Sequence, residues 1–389
     1  MKFDAIVVGA RCAGAATALL IARAGGRVLI IDKGGYGTDT PSTHALMRGA
    51  VLQLRRWGVL PAIAAAGTPA IRSTTFSYPD REVTVAIEPK FGVSALYAPR
   101  RTLLDRVLAD AAADAGADIR YRCEVRDVLF DARGRAAGVV VQREGRTERI
   151  DADLVIGADG RHSTIARRVG AATRRQARHS TGVLYSYWEK LDVDEYYWGY
   201  RPQASIGLIP TNHHATCVFV SVPWHRFRTE MDGPARQVYE RLIRGAFPAL
   251  DARLREAQRV EGVRGFAGQL GFMRQSVGAG WALVGDAGYF KDPLTAHGIT
   301  DALRDAELLA RAAIRGTPEA FAEYETVRSD LSDKLFDVTD EVASFAWTEV
   351  QLQSLHKALS AEMTREVRFL DALEQLPAFA PSPRERIAV

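Results

Sequence analysis

Residues 3–32, FDAIVVGARCAGAATALLIARAGGRVLIID, limit what this chain can fold into more than any other stretch. A short apolar run, Ala5 to Val8, stops at Gly9, and an Ala-rich helical pattern follows from about Ala13 to Ala24. Gly25 and Gly26 end that pattern, and a second apolar run, Val28 to Ile31, closes on Asp32. Apolar runs bounded by glycine read as buried strands, so the stretch is a strand–helix–strand unit. Gly9 permits the tight turn, Gly14 lets helix and strand pack closely, and the free N–H groups at the helix start can hold a pyrophosphate. Asp32 is placed to accept hydrogen bonds from a ribose diol. The unit is expected to bind an adenine dinucleotide. One position departs from G-x-G-x-x-G: Arg11 stands where the second glycine belongs, and it either turns outward or folds over the pyrophosphate as a clamp.

A chain of 389 residues with 47% hydrophobic content can bury a large core, and its length suggests about two domains. The net charge of +4 is small, and the arginines are scattered rather than striped, which excludes nucleic acid as an expected partner. Cys12, Cys123 and Cys217 lie far apart, with neither a disulfide framework nor zinc spacing, and no metal is expected. The first strand starts directly after Met1-Lys2, and no apolar run reaches membrane-spanning length. A cytoplasmic enzyme without stable membrane insertion is the expectation.

After Asp32 a Gly- and Thr-rich loop leads to a helix carrying Arg48, with Ser42 or Thr43 as its expected cap. Strand-like pieces fill 73–98. A helix opens at Arg101-Thr-Leu-Leu-Asp105, and strands are expected over 119–130, 138–142 and 146–155. A second landmark, Leu154-Val-Ile-Gly-Ala-Asp-Gly160, runs from a buried strand into a glycine-flanked acid, Asp159. Residues 172–275 are rich in aromatics and in strand alternation, with one helix expected over 234–258; this reads as an antiparallel substrate-binding sheet. The third landmark, Trp281-Ala-Leu-Val-Gly-Asp286, passes Pro293 and enters a long helix near Gly298. Helical periodicity continues to about Leu376, and the tail from Pro377 is Pro-rich and charged.

Three landmarks in this order resemble the p-hydroxybenzoate hydroxylase-like flavoproteins, which comprise single-component flavin monooxygenases, flavin-dependent halogenases and geranylgeranyl reductases. The resemblance runs from about Asp4 to Ala310 and implies an α/β fold: a Rossmann-like FAD-binding domain interleaved with an antiparallel-sheet substrate domain, then a helical C-terminal region. The implied boundaries are 1–171 for the first part of the FAD-binding domain, with a substrate-side insertion near 73–98. The substrate sheet takes 172–275, the return segment 276–310 and the C-terminal helices 311–389. The resemblance implies FAD. Gly9, Arg11, Cys12, Ala13, Gly14, Asp32 and Lys33 would lie at its ADP half, Arg48 and Arg101 at its phosphates, and Gly285 and Asp286 at its ribityl chain. Asp159 matches a motif that serves both FAD and a nicotinamide donor.

A helix beginning at Gly298, Ile299 and Thr300 can direct its positive end at the N1–C2=O edge of the flavin, where the reduced ring is anionic. His297, directly before it, is a candidate for charge stabilisation or proton relay, and His44 is a candidate acid–base group. Tyr187, Ile206 and Leu208 on the sheet, with Pro293, are the expected substrate contacts, and Pro293 is an expected cofactor contact as well. The implied activity is a monooxygenase in which NADPH or NADH reduces the flavin, O₂ adds at C4a, and the hydroperoxide oxygenates a small organic, aromatic substrate. A separate flavin reductase could instead supply the electrons, since no second dinucleotide fingerprint follows.

The chief alternative is an FAD-dependent reductase of carbon–carbon double bonds, with Val218 and Val220 suiting an isoprenoid channel. Halogenation is disfavoured. Of the W-x-W-x-I-P motif that the resemblance implies for a halogenase, only Ile209-Pro210 survives in Ser205-Ile-Gly-Leu-Ile-Pro210, and the loop where a halogenase would place its catalytic lysine, Asp39-Thr-Pro-Ser-Thr-His44, has none. A non-catalytic carrier would not need the flavin-facing Gly285-Asp286 and Gly298.

Overall fold

The computed structural model describes residues 2–376; the tail from Pro377 lies outside the described residues. The opening stretch folds as its glycines dictate, with strand Phe3–Val8, helix Cys12–Arg23 and strand Val28–Ile31. The two strands pair in parallel, Ala5 opposite Val28. They lie inside an eight-stranded sheet whose central order is Val277–Gly278, Trp281–Leu283, Arg146–Gly157, Phe3–Val8, Val28–Ile31, Asp118–Arg120. Arg146–Gly157 is used twice: its first half pairs antiparallel with Ala136–Arg143, and its second half runs parallel to Phe3–Val8 and Trp281–Leu283. Strands that run parallel end on one side. Gly9, Asp32, Asp159 and Asp286, each just beyond a strand end, therefore collect at the carboxyl edge of one sheet, where α/β folds hold ligands.

A second eight-stranded sheet contains Thr181–Glu189, Thr216–Pro223, Ala204–Pro210 and Tyr196–Arg201 as an antiparallel run. The earlier strand Ser73–Ser77 joins it in parallel beside Tyr196–Arg201, so the sheet is mixed at that junction. Alternation sends side chains to opposite faces. Val183, Tyr185, Tyr187, Trp198, Cys217 and Phe219 pack toward the main core, whereas Leu184, Ile206, Leu208, Val218 and Val220 pack under helices on the other face.

The helix expected over 234–258 is two helices, Ala235–Ala246 and Pro248–Glu256: Pro248 cannot donate back into the preceding turn but suits the first turn of a new helix. A further helix, Trp224–Glu230, follows the strand before it. The helix expected to be capped by Ser42 or Thr43 begins only at Arg48, behind Met47 and without a side-chain cap. The C-terminal third comprises Gly298–Arg315, Pro318–Ala343 and Glu349–Asp371. Gly316 (φ +66°) ends the first of these, and Thr348 with Gln351 forms a capping box on the last.

Candidate active site

A cavity of about 540 Å³ opens at the carboxyl edge of the parallel sheet and reaches the main-core face of the second sheet. One end is the turn after the first strand. A Cβ at Gly9 (φ +112°) would stand 2.4 Å from the carbonyl oxygen of Ala158, and one at Gly14 only 1.9 Å from that of Gly9, so neither position has room for a side chain. Asp32 accepts the N–H of Ala10 at 2.7 Å and of Gly34 at 2.6 Å, which holds its carboxylate at the cavity wall beside Lys33. Arg11 donates to the carbonyls of Thr38 and Asp39 and to Asp105, each at 3.3 Å. It thus lies across the neighbouring loop and still lines the cavity beside Cys12 and Ala13.

The R-x-x-L-D segment contributes two residues. Arg101 is buried and grips Asp105 at 2.9 and 3.0 Å, while Asp105 accepts the N–H of Cys12 at 3.1 Å. The carboxylate therefore caps the first helix from another element and steadies Arg101 at the cavity. Asp105 was not among the expected site residues; its signal is the four-residue spacing from Arg101.

Asp159 accepts the Ser163 hydroxyl and the N–H of Thr164 at 2.6 Å, and burial raises its pKa. Asp286 stands in the turn Gly285–Ala287, where a Cβ on Gly285 would meet Ala13 at 2.9 Å. Burial raises the Asp286 pKa, while nearby Arg101, Arg161 and Lys291 oppose that shift. Among the described residues no group hydrogen-bonds its carboxylate, which faces the cavity. An unmatched carboxylate, two glycines without room for a side chain and a helix start on one wall fit a dinucleotide with a polyhydroxyl chain.

Across the cavity, Asp292 accepts the Thr181 N–H at 2.7 Å, the Thr181 hydroxyl at 2.8 Å and the Leu294 N–H at 3.0 Å. These bonds tie the Pro293 turn to the second sheet, and burial pushes the Asp292 pKa up to about 6. Pro293, Gly298 and Ile299 line the cavity. Val183, Tyr185, Phe266 and Phe290 form an apolar and aromatic wall, all of it missing from the expected set because only tertiary packing brings these distant residues together. His44 lies at the same wall with φ +69°; its Nε2 contacts the Tyr187 hydroxyl, while its buried Nδ1 has no hydrogen-bond partner. Burial and the cations Arg100 and Arg101 hold its pKa down at about 3, so the imidazole is neutral. Tyr187 sits behind His44 rather than on the wall, with the Arg100 guanidinium 3.7 Å over its ring.

Four further expectations are corrected. Arg48 turns from the cavity and donates to the carbonyls of Glu88, Lys90 and Val93, at 2.7–3.2 Å. Ile206 and Leu208 point to the opposite sheet face, covered by Val238, Leu242 and Ile243. Val218 and Val220 share that face, so they line no channel at the site. The Thr300 hydroxyl accepts the Met47 N–H at 3.2 Å, a side-chain contact separate from the backbone N–H expected at the helix start. His297 is buried behind the cavity wall, with Nδ1 3.1 Å from Asp301 and Nε2 3.0 Å from Glu366.

A family model described as FAD binding domain matches residues 2–339. A digeranylgeranylglycerophospholipid reductase of Methanothrix thermoacetophila is 28% identical over 315 residues, covering 78% of this chain and 75% of that protein. Among solved structures, a flavoprotein/dehydrogenase from Cytophaga hutchinsonii superposes with a TM-score of 0.81 at 19% identity, over 94% of this chain and 93% of the other. The myxobacterial chondrochloren halogenase CndH gives 0.78 at 22% identity, over 95% and 96%. The match to the family model spans the parallel sheet, the second sheet and the glycine-flanked acids alike, and the chain belongs to the FAD-binding domain family of oxidoreductases.

Proposed function

We propose that this protein is an FAD-dependent monooxygenase of a small aromatic substrate. The observation that carries the reading is the wall of Val183, Tyr185, Phe266 and Phe290 with the neutral His44 set into it. Such a wall suits a flat apolar ring, and the free Nδ1 suits a phenol or amine hydrogen at its edge. In this reading Arg101 faces the FAD phosphates, Asp286 the ribityl hydroxyls, Asp32 the ribose, and the start of Gly298–Arg315 the ring edge that becomes negative on reduction. Bound FAD supplies two-electron redox chemistry and oxygen activation. The chain's part is to orient the substrate edge, exclude water with the aromatic wall, and let the neutral His44, backed by the Tyr187 hydroxyl, hold a substrate hydroxyl or amine by a hydrogen bond. Residues 1–171 and 276–310 hold the cofactor, 172–275 the substrate, and the helices between Pro318 and Asp371 brace both. NADPH, NADH or a separate flavin reductase supplies the electrons.

The overall balance is substrate, O₂, a hydride equivalent and a proton giving hydroxylated substrate and water. The test is labelled O₂ with a panel of phenols and anilines and either nicotinamide donor or chemically reduced flavin. One oxygen atom from O₂ in the product is expected. A second reading, reduction of a carbon–carbon double bond, draws on the reductase names of the curated relatives, including a menaquinone reductase of Mycolicibacterium smegmatis that is 31% identical over 47% of this chain and 43% of its own length. Anaerobic saturation of an alkene, with no oxygen incorporated from any candidate, would give the case to that reading.

A further inference from the structure

Lys291 is the one cavity-lining residue whose burial is hardest to explain by packing alone. Its side chain is 3% exposed, and a lysine is rarely buried unless it is paired. It lies where the Pro293 turn approaches the helix Gly298–Arg315, on the same wall as Asp286. Its ammonium contacts the carboxylate of Asp301, also at the cavity, and stands 3.5 Å from His297 Nδ1. Behind it Arg304 bridges Asp301 at 2.9 Å, Glu366 at 2.8 Å and Asp305 at 2.7 Å. Three carboxylates thus face two cations and one imidazole in a buried cluster, and only Lys291 and Asp301 reach the cavity. His297, Asp301 and Glu366 are close enough together to hold a metal ion, but Lys291 already contacts Asp301, and Arg304 already bridges Asp301 and one oxygen of Glu366.

We infer that Lys291 is the charge-compensating residue of this site: its ammonium, held in place by Asp301 and His297, offsets the negative charge that reduction leaves on the FAD ring. When a hydride donor delivers two electrons and one proton, the ring gains one net negative charge, and no bond to Lys291 forms or breaks. The start of the helix Gly298–Arg315 presents partial positive charge at the same end of the cavity, so a full charge and a dipole act together. Burial and Arg304 draw the Lys291 pKa down to about 7 in the chain without ligand, so an added negative charge nearby stabilises the protonated form that compensates it. The inference rests on FAD binding and not on what the reduced enzyme does with oxygen.

The experiment is a two-electron midpoint potential at pH 6, measured anaerobically without substrate by equilibration with an indicator dye. It compares the FAD-loaded parent with Lys291→Gln, Lys291→Arg and Glu366→Gln. Lys291→Gln keeps a donor for Asp301 but loses the charge, and it is expected to lose about tenfold in preference for reduced over oxidised FAD, close to 30 mV for a two-electron couple. Lys291→Arg should remain within about threefold of the parent. Glu366→Gln removes a negative charge from the cluster and should raise the preference about threefold or more. A Lys291→Gln protein whose preference stays within twofold of the parent overturns the inference. Should that variant fail to retain FAD, Glu366→Gln decides alone, and an unchanged or lowered preference overturns it. Absence of oxygen incorporation would fail the monooxygenase reading and leave these potentials untouched.

Discussion

At the scale of single residues, burial without pairing decides much of the chemistry. Asp286 is the clearest case: its carboxylate faces the cavity with no hydrogen-bond partner among the described residues. Asp286→Ala should weaken FAD binding by roughly 1.5–3 kcal/mol, the value of a charge-assisted hydrogen bond, as read by fluorescence titration of the apoprotein. His44 and His356 illustrate burial acting on pH. Burial lowers their pKa values to about 3 and about 4 from an ordinary 6.5, and His356 Nδ1 lies 2.8 Å from the Tyr78 hydroxyl. Below pH 6.5 the unfolded chain takes up protons that the folded chain refuses, so stability is full above that pH and falls as pH drops toward 4. The urea midpoint should therefore decline between pH 7 and pH 5, and His44→Gln with His356→Gln should flatten that decline. Neither result follows from residue type alone, because a histidine in a loop and one on a helix read alike until their surroundings are known.

At the scale of elements, the faces of the second sheet separate scaffold from site. Ile206 and Leu208 are each 1% exposed beneath Ala235–Ala246, whereas Tyr185 and Phe266 line the cavity. Ile206→Ala or Leu208→Ala should cost about 2–5 kcal/mol in urea unfolding and leave KM for the substrate unchanged. Phe266→Ala should raise KM with a smaller loss of stability, since a wall residue has fewer neighbours to lose. Alternation within one strand was visible in the sequence, but the face that looks inward depends on which partner covers it. The first strand–helix–strand unit was more legible. Its information is local: glycine at a positive φ, a small residue where backbones approach, and an acid at a strand end. Arg101 was legible through its spacing to Asp105, while Arg48, an equally plausible cation in an equally suitable helix, turned to the carbonyls of a loop forty residues on.

At the scale of the whole molecule, the C-terminal helices brace the site from behind. Glu349–Asp371 packs against Arg48–Arg56 and Pro318–Ala343, and its Glu366 reaches Arg304 at 2.8 Å in the middle of the buried cluster. Arg56 donates to the carbonyl of Leu373 at 2.6 Å from the facing helix. A chain ending before Thr348 should leave Arg304 short of a carboxylate, lose FAD on gel filtration and unfold over a broader urea range.

The sequence by itself determined the parallel strand–helix–strand start, the two glycine-flanked acids Asp159 and Asp286 and, through the order of the three landmarks, the family; each depends on neighbours a few residues apart and on backbone chemistry that glycine alone permits. Only the tertiary structure decided which way the side chains turn. It moved His297 from the cavity into a buried cluster, put Ile206 and Leu208 under a helical cover, and brought Lys291, Asp301 and Glu366 together across seventy-five residues. Side-chain direction and long-range charge pairing are settled by what packs against each element, and no local pattern carries that information.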